Sequence, residues 1–257
     1  MQCKICRSSS TSIGELLILS KHRIQFFQCD GCGFVQTEDP FWLAEAYSQA
    51  IAMQDVGIML RNEQDASITS ALLKLCFPQV NRGLDFGGGH GIFVRMMRDR
   101  GFDFRWRDLY APNDFARGFE YDPQSRYEFL TAFEVLEHFV DPMSEFERIM
   151  QLSPNIFVST ELLPDPLLSL NDWWYFSLST GQHVSFYTQK TLQFIARQFN
   201  RHLLSNGHFH LFSSEPCNAT LFRFAMHLRF AKLANTIKKR PSLTEADYKM
   251  LSGKQLR

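Results

Sequence analysis

The chain has 257 residues, 45% of them apolar, with 27 basic and 27 acidic side chains. This length suits one ordinary domain with a small appendage and enough apolar matter for its own core. Balanced charge gives no support for broad nucleic-acid binding. No apolar run reaches membrane-spanning length and the first residues show no signal-peptide pattern, so a cytoplasmic chain with reduced thiols is expected. The 25 phenylalanines are read mainly as core.

Four of the six cysteines come first, as two Cys-x-x-Cys pairs, Cys3/Cys6 and Cys29/Cys32. Each pair can set two thiolates on one tetrahedral ion while the chain turns between them, and Gly31 and Gly33 ease the second turn. Two strand-like runs, Glu15–Leu19 and Ile24–Gln28, separate the pairs. The pattern predicts a zinc ribbon over 1–38, two knuckles on a small hairpin. A redox pair or four unrelated thiols are the alternatives, but a redox motif has no use for a second matched pair. Four thiolates close the coordination sphere, so the zinc would be structural.

Residues 41–77 read as helical: Ile68, Ala71, Leu72, Leu75 and Cys76 share one face and Pro78 stops the run. The part from Trp42 to Arg61 carries Tyr47, Asp55 and Arg61 among apolar neighbours. Leu84, Asp85 and Phe86 then end a short buried strand, followed by Gly87, Gly88, Gly89 and Gly91. Ile92 opens a helix with Phe93, Met96 and Met97 on one face, and Gly101 ends it. Strand, glycine turn and helix make half of a nucleotide-binding βαβ unit, where backbone must turn sharply and a ligand must approach closely. The dinucleotide fingerprint needs a glycine where Ile92 stands, which argues against NAD or FAD. Asp108 closes the next strand-like run, where a carboxylate can accept from both ribose hydroxyls. Asp103 is its competitor, but lies before the run Phe104–Arg107.

Phe115–Tyr121 is expected as the third strand and Tyr127–Phe133 as a buried strand. Glu134, Glu137 and His138 follow at its C-terminal end, where open α/β sheets bind ligands. Glu137 and His138 suit either substrate contact or a pair that pins the loop. Asp141 caps a helix with Pro142 at its first position. Asn155–Thr160 is the fifth strand. An aromatic stretch, 172–188, contains His183, and Thr188 caps a further helix. Residues 202–212 suggest a hairpin through Asn206-Gly207. A basic amphipathic helix from Leu221 to Arg240 could dock on the protein, contact a second copy or lie on a membrane surface.

Three stretches carry a family resemblance. LDFGGGHG (84–91) resembles motif I of the class I S-adenosylmethionine-dependent methyltransferases. RGFDFRWRDLY (100–110) and AFEVLEHFVDP (132–142) are similar to their second-strand and fourth-strand motifs, in the expected order. The resemblance implies an α/β, Rossmann-like seven-stranded sheet with helices on both faces over 39–214, after the ribbon and before a helical tail, 215–257. It implies S-adenosylmethionine held by Asp85, Gly87, Gly88, Gly89, Gly91, Asp108 and Glu134, with Tyr47 or Arg61 at the methionine carboxylate. It also implies that the stretch after strand five walls the acceptor.

The sulfonium donor is already activated, so such an enzyme chiefly aligns the reactants. A hydroxyl or carbon acceptor also needs a base. His183 is the first candidate, because histidine titrates near neutrality, and His138 the second. A structural histidine is the plain alternative for each. A four-cysteine knuckle ahead of this domain resembles the deoxysugar C-methyltransferases, implying a small-molecule acceptor: a sugar or glycan, methylated on oxygen or carbon. Other readings are an RNA or protein methyltransferase using the ribbon for recognition, or an inactive cofactor-binding interaction protein. The ribbon's basic residues are few: Lys4, Arg7, Lys21, His22 and Arg23. Oligomeric state is open.

Overall fold

The computed structural model describes residues 1–47, 56–164, 170 and 173–255. The strands are β1 (Ser10–Ile18), β2 (His22–Cys29), β3 (Val35–Thr37), β4 (Arg82–Phe86), β5 (Asp103–Arg107), β6 (Phe129–Phe133), β7 (Asn155–Ser159), β8 (Ser185–Phe186), β9 (His202–Ser205) and β10 (Phe209–Ser213). The helices are α1 (Leu43–Ala46), α2 (Ile58–Cys76), α3 (Ile92–Asp99), α4 (Pro142–Leu152), α5 (Gln189–Gln198), α6 (Ala219–Met226), α7 (Leu228–Ile237) and α8 (Thr244–Ser252). Two sheets result, ordered β1-β2-β3-β8 and β5-β4-β6-β7-β10-β9. The six-stranded sheet is mixed: β4 runs parallel to β5 and β6, and β10 antiparallel to β9. The fold is therefore α/β.

Among the described residues the sheet has six strands where seven were expected. The expected third strand, 115–121, is a single parallel bridge between Trp106 and Glu120. Trp106 N–H donates to the Phe119 carbonyl and accepts Tyr121 N–H at its own, both at 2.8 Å. Gly118 with φ +85° and the Asn113 side chain, which accepts Ala116 N–H at 2.9 Å, coil the approach too tightly for a longer ladder.

The chain divides into two compact units. The first comprises Met1–Ala52, Phe133–Gln151 and Val158–Ser214. Its hairpin β1–β2 pairs from Ser10↔Cys29 to Ile18↔His22, and β8 pairs with β3 through Val35↔Phe186. The rings expected to wall an acceptor are instead largely core. Tyr175, Phe176 and Phe186 pack with Phe26, Val35 and Trp42 in one buried cluster, and Trp173 packs against it. A hydrophobic sheet face this close claims them before any ligand can. Trp174 is the exception at 75% exposed, and Asp172 lies outside the described residues. Thr188 caps α5 in a reciprocal capping box with Thr191. Asn206 turns the β9–β10 hairpin, its side chain accepting Phe209 N–H at 2.7 Å.

The second unit comprises Met53–Ala132, Leu152–Phe157 and Glu215–Arg257. Here α2 packs against α3, α6 and α7. The single tail helix expected over 221–240 is two helices, broken where His227 takes an extended ψ of 112°. Asn235 fastens α7 to α2: its amide donates to the Ser67 carbonyl at 2.8 Å, and its oxygen accepts from Ser70 and Lys74 at 2.9 and 3.0 Å. Of the helix expected over 41–77, α1 and α2 are described. Residues between them, including Asp55, lie outside the described set. No described helix is long and apolar enough to cross a membrane.

The last helix is held by a buried ion pair. Arg98 Nε and Nη2 donate to the two Asp247 oxygens at 2.8 and 2.7 Å, both side chains being 6% exposed. Arg98 also binds Asp103 and stacks 3.7 Å over the Phe119 ring. Removing Asp247 leaves Arg98 with the Asp103 carboxylate still beside it. Asp247→Ala should therefore cost less in urea unfolding than the roughly 3–5 kcal/mol of a fully stranded buried charge, but well above the near-zero cost of a surface pair.

Candidate functional site

The glycine turn begins where β4, buried from Gly83 to Phe86, delivers Gly87 to the carbonyl of Arg107. That one oxygen accepts both Gly87 N–H at 2.8 Å and Gly88 N–H at 3.2 Å. Gly91 caps α3 in the left-handed region, φ +85°. Side chains would be rejected along most of the segment. A Cβ at Gly83 would lie 2.4 Å from the Phe104 ring, at Gly88 2.8 Å from the Asp85 carboxylate, and at Gly91 2.8 Å from Asn113. Gly89 differs: a Cβ there would meet nothing within 4 Å, although its φ of +52° is left-handed. The protein thus leaves backbone bare toward open space at Gly89, the arrangement a close-approaching ligand requires.

Asp108 meets this turn. Its Oδ2 accepts Gly89 N–H at 2.9 Å, and its Oδ1 accepts Tyr110 N–H and Ala111 N–H at 2.7 and 2.8 Å. Trp106, which the sequence placed only within the run Phe104–Arg107, donates its indole N–H to the Gly89 carbonyl at 2.8 Å. Asp103, the competitor, is occupied with Arg82, Arg98 and Arg105. His90 Nδ1 pairs with Asp114 at 2.6 Å and steadies the outer side of the loop. Arg61 stands in the first turn of α2.

Asp85 is 4% exposed and supports the turn from below. Its Oδ1 accepts the Thr131 hydroxyl at 2.6 Å. Burial pushes this carboxyl up to about 8, against the Thr131 bond and helped by the charges of Asp108 and Asp65.

In the first unit, β6 runs into Glu134, whose φ of +52° is strained for a residue with a side chain. Ser159 secures it: Glu134 N–H donates to Ser159 Oγ at 2.9 Å, and that hydroxyl donates back to Glu134 Oε1 at 2.6 Å. The Tyr175 hydroxyl donates to Oε2 at 3.1 Å. A single 3-10 turn, Leu136–His138, follows. Segment 184–187 pins it: Val184 N–H donates to the Glu137 carbonyl at 2.8 Å, Ser185 Oγ to Phe139 at 2.6 Å, and Tyr187 OH to Leu136 at 2.9 Å.

This clamp brings His183 beside His138, their rings 5.0 Å apart and edge-on. His183 Nδ1 lies 2.7 Å from the Tyr175 carbonyl, so that nitrogen carries the proton and Nε2 keeps its lone pair. Burial, then the His138 charge, lower the His183 pKa to about 3 against the pull of that carbonyl. His138 Nδ1 lies 3.0 Å from the Tyr47 hydroxyl and 3.2 Å from the Gln182 carbonyl. Glu137 is wholly buried, and among the described residues neither of its carboxylate oxygens has a partner in hydrogen-bond geometry, although the Tyr175 and Thr160 hydroxyls lie beside them. Burial, then the Glu134 charge, push its pKa well up. Tyr47, Glu134, His138 and His183 therefore share one neighbourhood, as the glycines, Asp85 and Asp108 share another. Ser159, Thr131 and Tyr175 carry no motif that could have marked them.

The four N-terminal thiols converge, all within 4.8 Å of one another, with Cys3–Cys32 at 3.7 Å and Cys6–Cys29 at 3.3 Å. Sulfurs about 2.3 Å from a tetrahedral zinc stand roughly 3.8 Å apart, so the set fits that ion. Backbone N–H groups of Ile5, Gly31 and Cys32 point at the sulfurs, each at 3.3 Å. The knuckles match: Arg7 N–H closes on the Cys3 carbonyl as Gly33 N–H closes on Cys29. Both residues are left-handed, φ +64° and +76°, which the glycine foretells and the arginine does not.

Asp85 gives a pH signature. Its folded pKa lies above the unfolded value near 4, so native stability is full below about pH 4 and is lost as pH climbs toward 8. Asp85→Asn should remove that slope. Its melting temperature should gain on the parent's steadily from pH 4 to 8, and parallel curves would contradict the burial argument.

A methyltransferase domain family matches residues 60–214, more than half of the chain. Among solved structures, an O-methyltransferase family protein from Burkholderia thailandensis is similar at 16% identity and a TM-score of 0.50, over 69% of this chain and 65% of that one. A 1,6-didemethyltoxoflavin-N1-methyltransferase of the same organism, solved with its substrate and S-adenosylhomocysteine, is 15% identical over 77% of this chain and 97% of that one, at a TM-score of 0.47. Human N-acetylserotonin methyltransferase, solved with S-adenosylmethionine, is 14% identical over 68% and 62%, at a TM-score of 0.45. This chain spans just under two thirds of the first of these proteins. No curated protein matches it in sequence. The likeness to solved structures speaks for the fold, and the family match, which covers both the glycine turn and the Glu134–His183 neighbourhood, establishes that the chain belongs to the methyltransferase domain family.

Proposed function

We propose that the protein transfers a methyl group from S-adenosylmethionine to a small molecule, with a sugar or glycan hydroxyl as the acceptor. The open space over Gly89 carries this reading. Gly83, Gly88 and Gly91 are walled by protein, and Gly89 is bare where a nucleoside would lie. The cofactor sits on Gly87, Gly88, Gly89 and Gly91, with Asp85 beneath the turn. Asp108 already accepts three amides. A carboxylate has about four acceptor places, so one ribose hydroxyl can bind without disturbing it and a second requires an amide to be released. Glu134, Tyr47 and Arg61 are assigned to the remaining cofactor contacts.

When bound, the sulfonium supplies an activated methyl, and the chain's own task is to align the acceptor and exclude water. His183 and His138 are assigned to the acceptor's proton, with Nε2 of His183 uncharged and open. Trp174 is the exposed ring available to an apolar sugar face. A cytoplasmic setting belongs to the same reading, supported by four thiols that converge as a ligand set.

Gly89→Val tests the cofactor placement. A Cβ there meets no protein atom but the left-handed φ strains any side chain, so a melting curve is read first, and with the fold intact calorimetry should detect no S-adenosylhomocysteine binding. Undiminished affinity would place the cofactor elsewhere. The cysteine cluster is proposed to hold structural zinc. Protein purified without added metal should carry one zinc per chain, lost in Cys29→Ser, and four freely titrating thiols in metal-free parent protein would refute the ribbon.

A further inference from the structure

Methyl transfer alone leaves Glu137 unexplained. A carboxylate with no exposed surface and, among the described residues, no partner in hydrogen-bond geometry is among the costliest groups a protein can bury. The hydroxyls of Tyr175 and Thr160 lie near it, yet Tyr175 gives its proton to Glu134 and shares a 3.2 Å contact with Thr160. What faces Glu137 instead is imidazole nitrogen. His138 Nε2 lies 4.0 Å from Glu137 Oε1, and one ligand atom from each of Glu137, His138 and His183 falls within 4.8 Å of the others.

We propose that Glu137, His138 and His183 bind a first-row divalent cation, zinc or iron(II) in class, at a site separate from the four-cysteine knuckle. Two imidazoles and a carboxylate are the donor set for such ions, with positions left for water or an acceptor oxygen. The outer contacts are of the kind that orient ligands. His183 donates its Nδ1–H to the Tyr175 carbonyl, and His138 Nδ1 is engaged by Tyr47 and Gln182, so Nε2 is the ligand atom assigned to each ring. The backbone bond from Val184 to Glu137 fixes the two ligand-bearing segments together before any ion arrives. Closing the three donors from 4.8 Å to the roughly 3–3.5 Å of a metal shell needs only side-chain adjustment. An ion there would settle the orphan carboxylate. With both Nε2 atoms committed to an ion, the role of taking the acceptor's proton would pass from the histidines to the ion's open positions. The site deepens the acceptor half of the methyl-transfer reading, yet its geometry stands without the cofactor half.

The test is a titration of Co²⁺ into parent protein whose knuckle is already filled with zinc. The expected result is a saturable ligand-field band at one equivalent, without thiolate charge-transfer absorption. Glu137→Gln, which keeps the side-chain volume, and His183→Gln should each weaken that binding at least about 100-fold. Both should retain knuckle zinc and S-adenosylhomocysteine affinity. X-ray absorption of the cobalt-loaded parent should show two imidazoles and no sulfur, a result that needs no variant. No saturable binding by the parent, sulfur in the second cobalt's shell, or unchanged affinity in both variants would overturn the site. S-adenosylhomocysteine binding is read separately, so a failure of the cofactor assignment is not mistaken for a failure of the metal site.

Discussion

Backbone that must turn through left-handed angles at Gly87, Gly89 and Gly91 governs the second unit. Phe104, Asp85 and Asn113 leave no side-chain room at Gly83, Gly88 and Gly91, while Gly89 faces open space. Those neighbours are themselves fixed by the turn. Arg107 holds two of its amides, Asp108 a third, and Trp106 its carbonyl. Side-chain packing, sheet pairing and the loop after β5 therefore agree on one backbone path. Loosening it would cost all three at once.

Two buried carboxylates illustrate how differently such groups can be accommodated. Asp85 and Glu137 both resist ionisation because water is excluded. Asp85 has the Thr131 hydroxyl at 2.6 Å and a structural task beneath the turn. Glu137 has its backbone carbonyl engaged by Val184 and, among the described residues, a carboxylate with no partner in hydrogen-bond geometry. Burial alone says little about function. The difference lies in whether the neighbours complete the group's hydrogen bonds or present lone pairs of their own.

Residues chosen for identity were legible in the sequence. Cysteine pairs, closely set glycines, Thr188 ahead of a helix and Asn206-Gly207 between strands each follow from chemistry that few other residues can supply. The acidic end of β5 was legible by position, once Asp103 was seen to come too early. Residues chosen only for bulk were not. Tyr175, Phe176 and Phe186 read equally well as cavity wall or as core, and only the face of the β1-β2-β3-β8 sheet decides for core. The missing third strand turns on the Asn113 cap and the Gly118 conformation, and the broken tail on one ψ angle at His227. Nothing in a linear pattern reveals that Glu137 lacks partners, since that depends on where Tyr175 and Thr160 send their protons.

The last strand of the N-terminal sheet has a consequence for the order in which this protein acquires its shape. β8 seals β3, and Thr188 and Thr191 donate to the Cys32 carbonyl at the second knuckle, both at 3.0 Å. The Cys32–Thr188 contact spans 156 positions. Closing a loop of that length costs roughly 4–5 kcal/mol of chain entropy beyond a fixed constant, and contacts so distant form slowly. The hairpin β1–β2 is local and can appear while the chain is still emerging from the ribosome. Its outer edge must wait, unpaired, until more than a hundred further residues have been made. During that interval β3 is an open strand edge, a template for mispairing with other chains. The element made first is thus among those finished last, and the nascent chain is most exposed to aggregation well before synthesis ends.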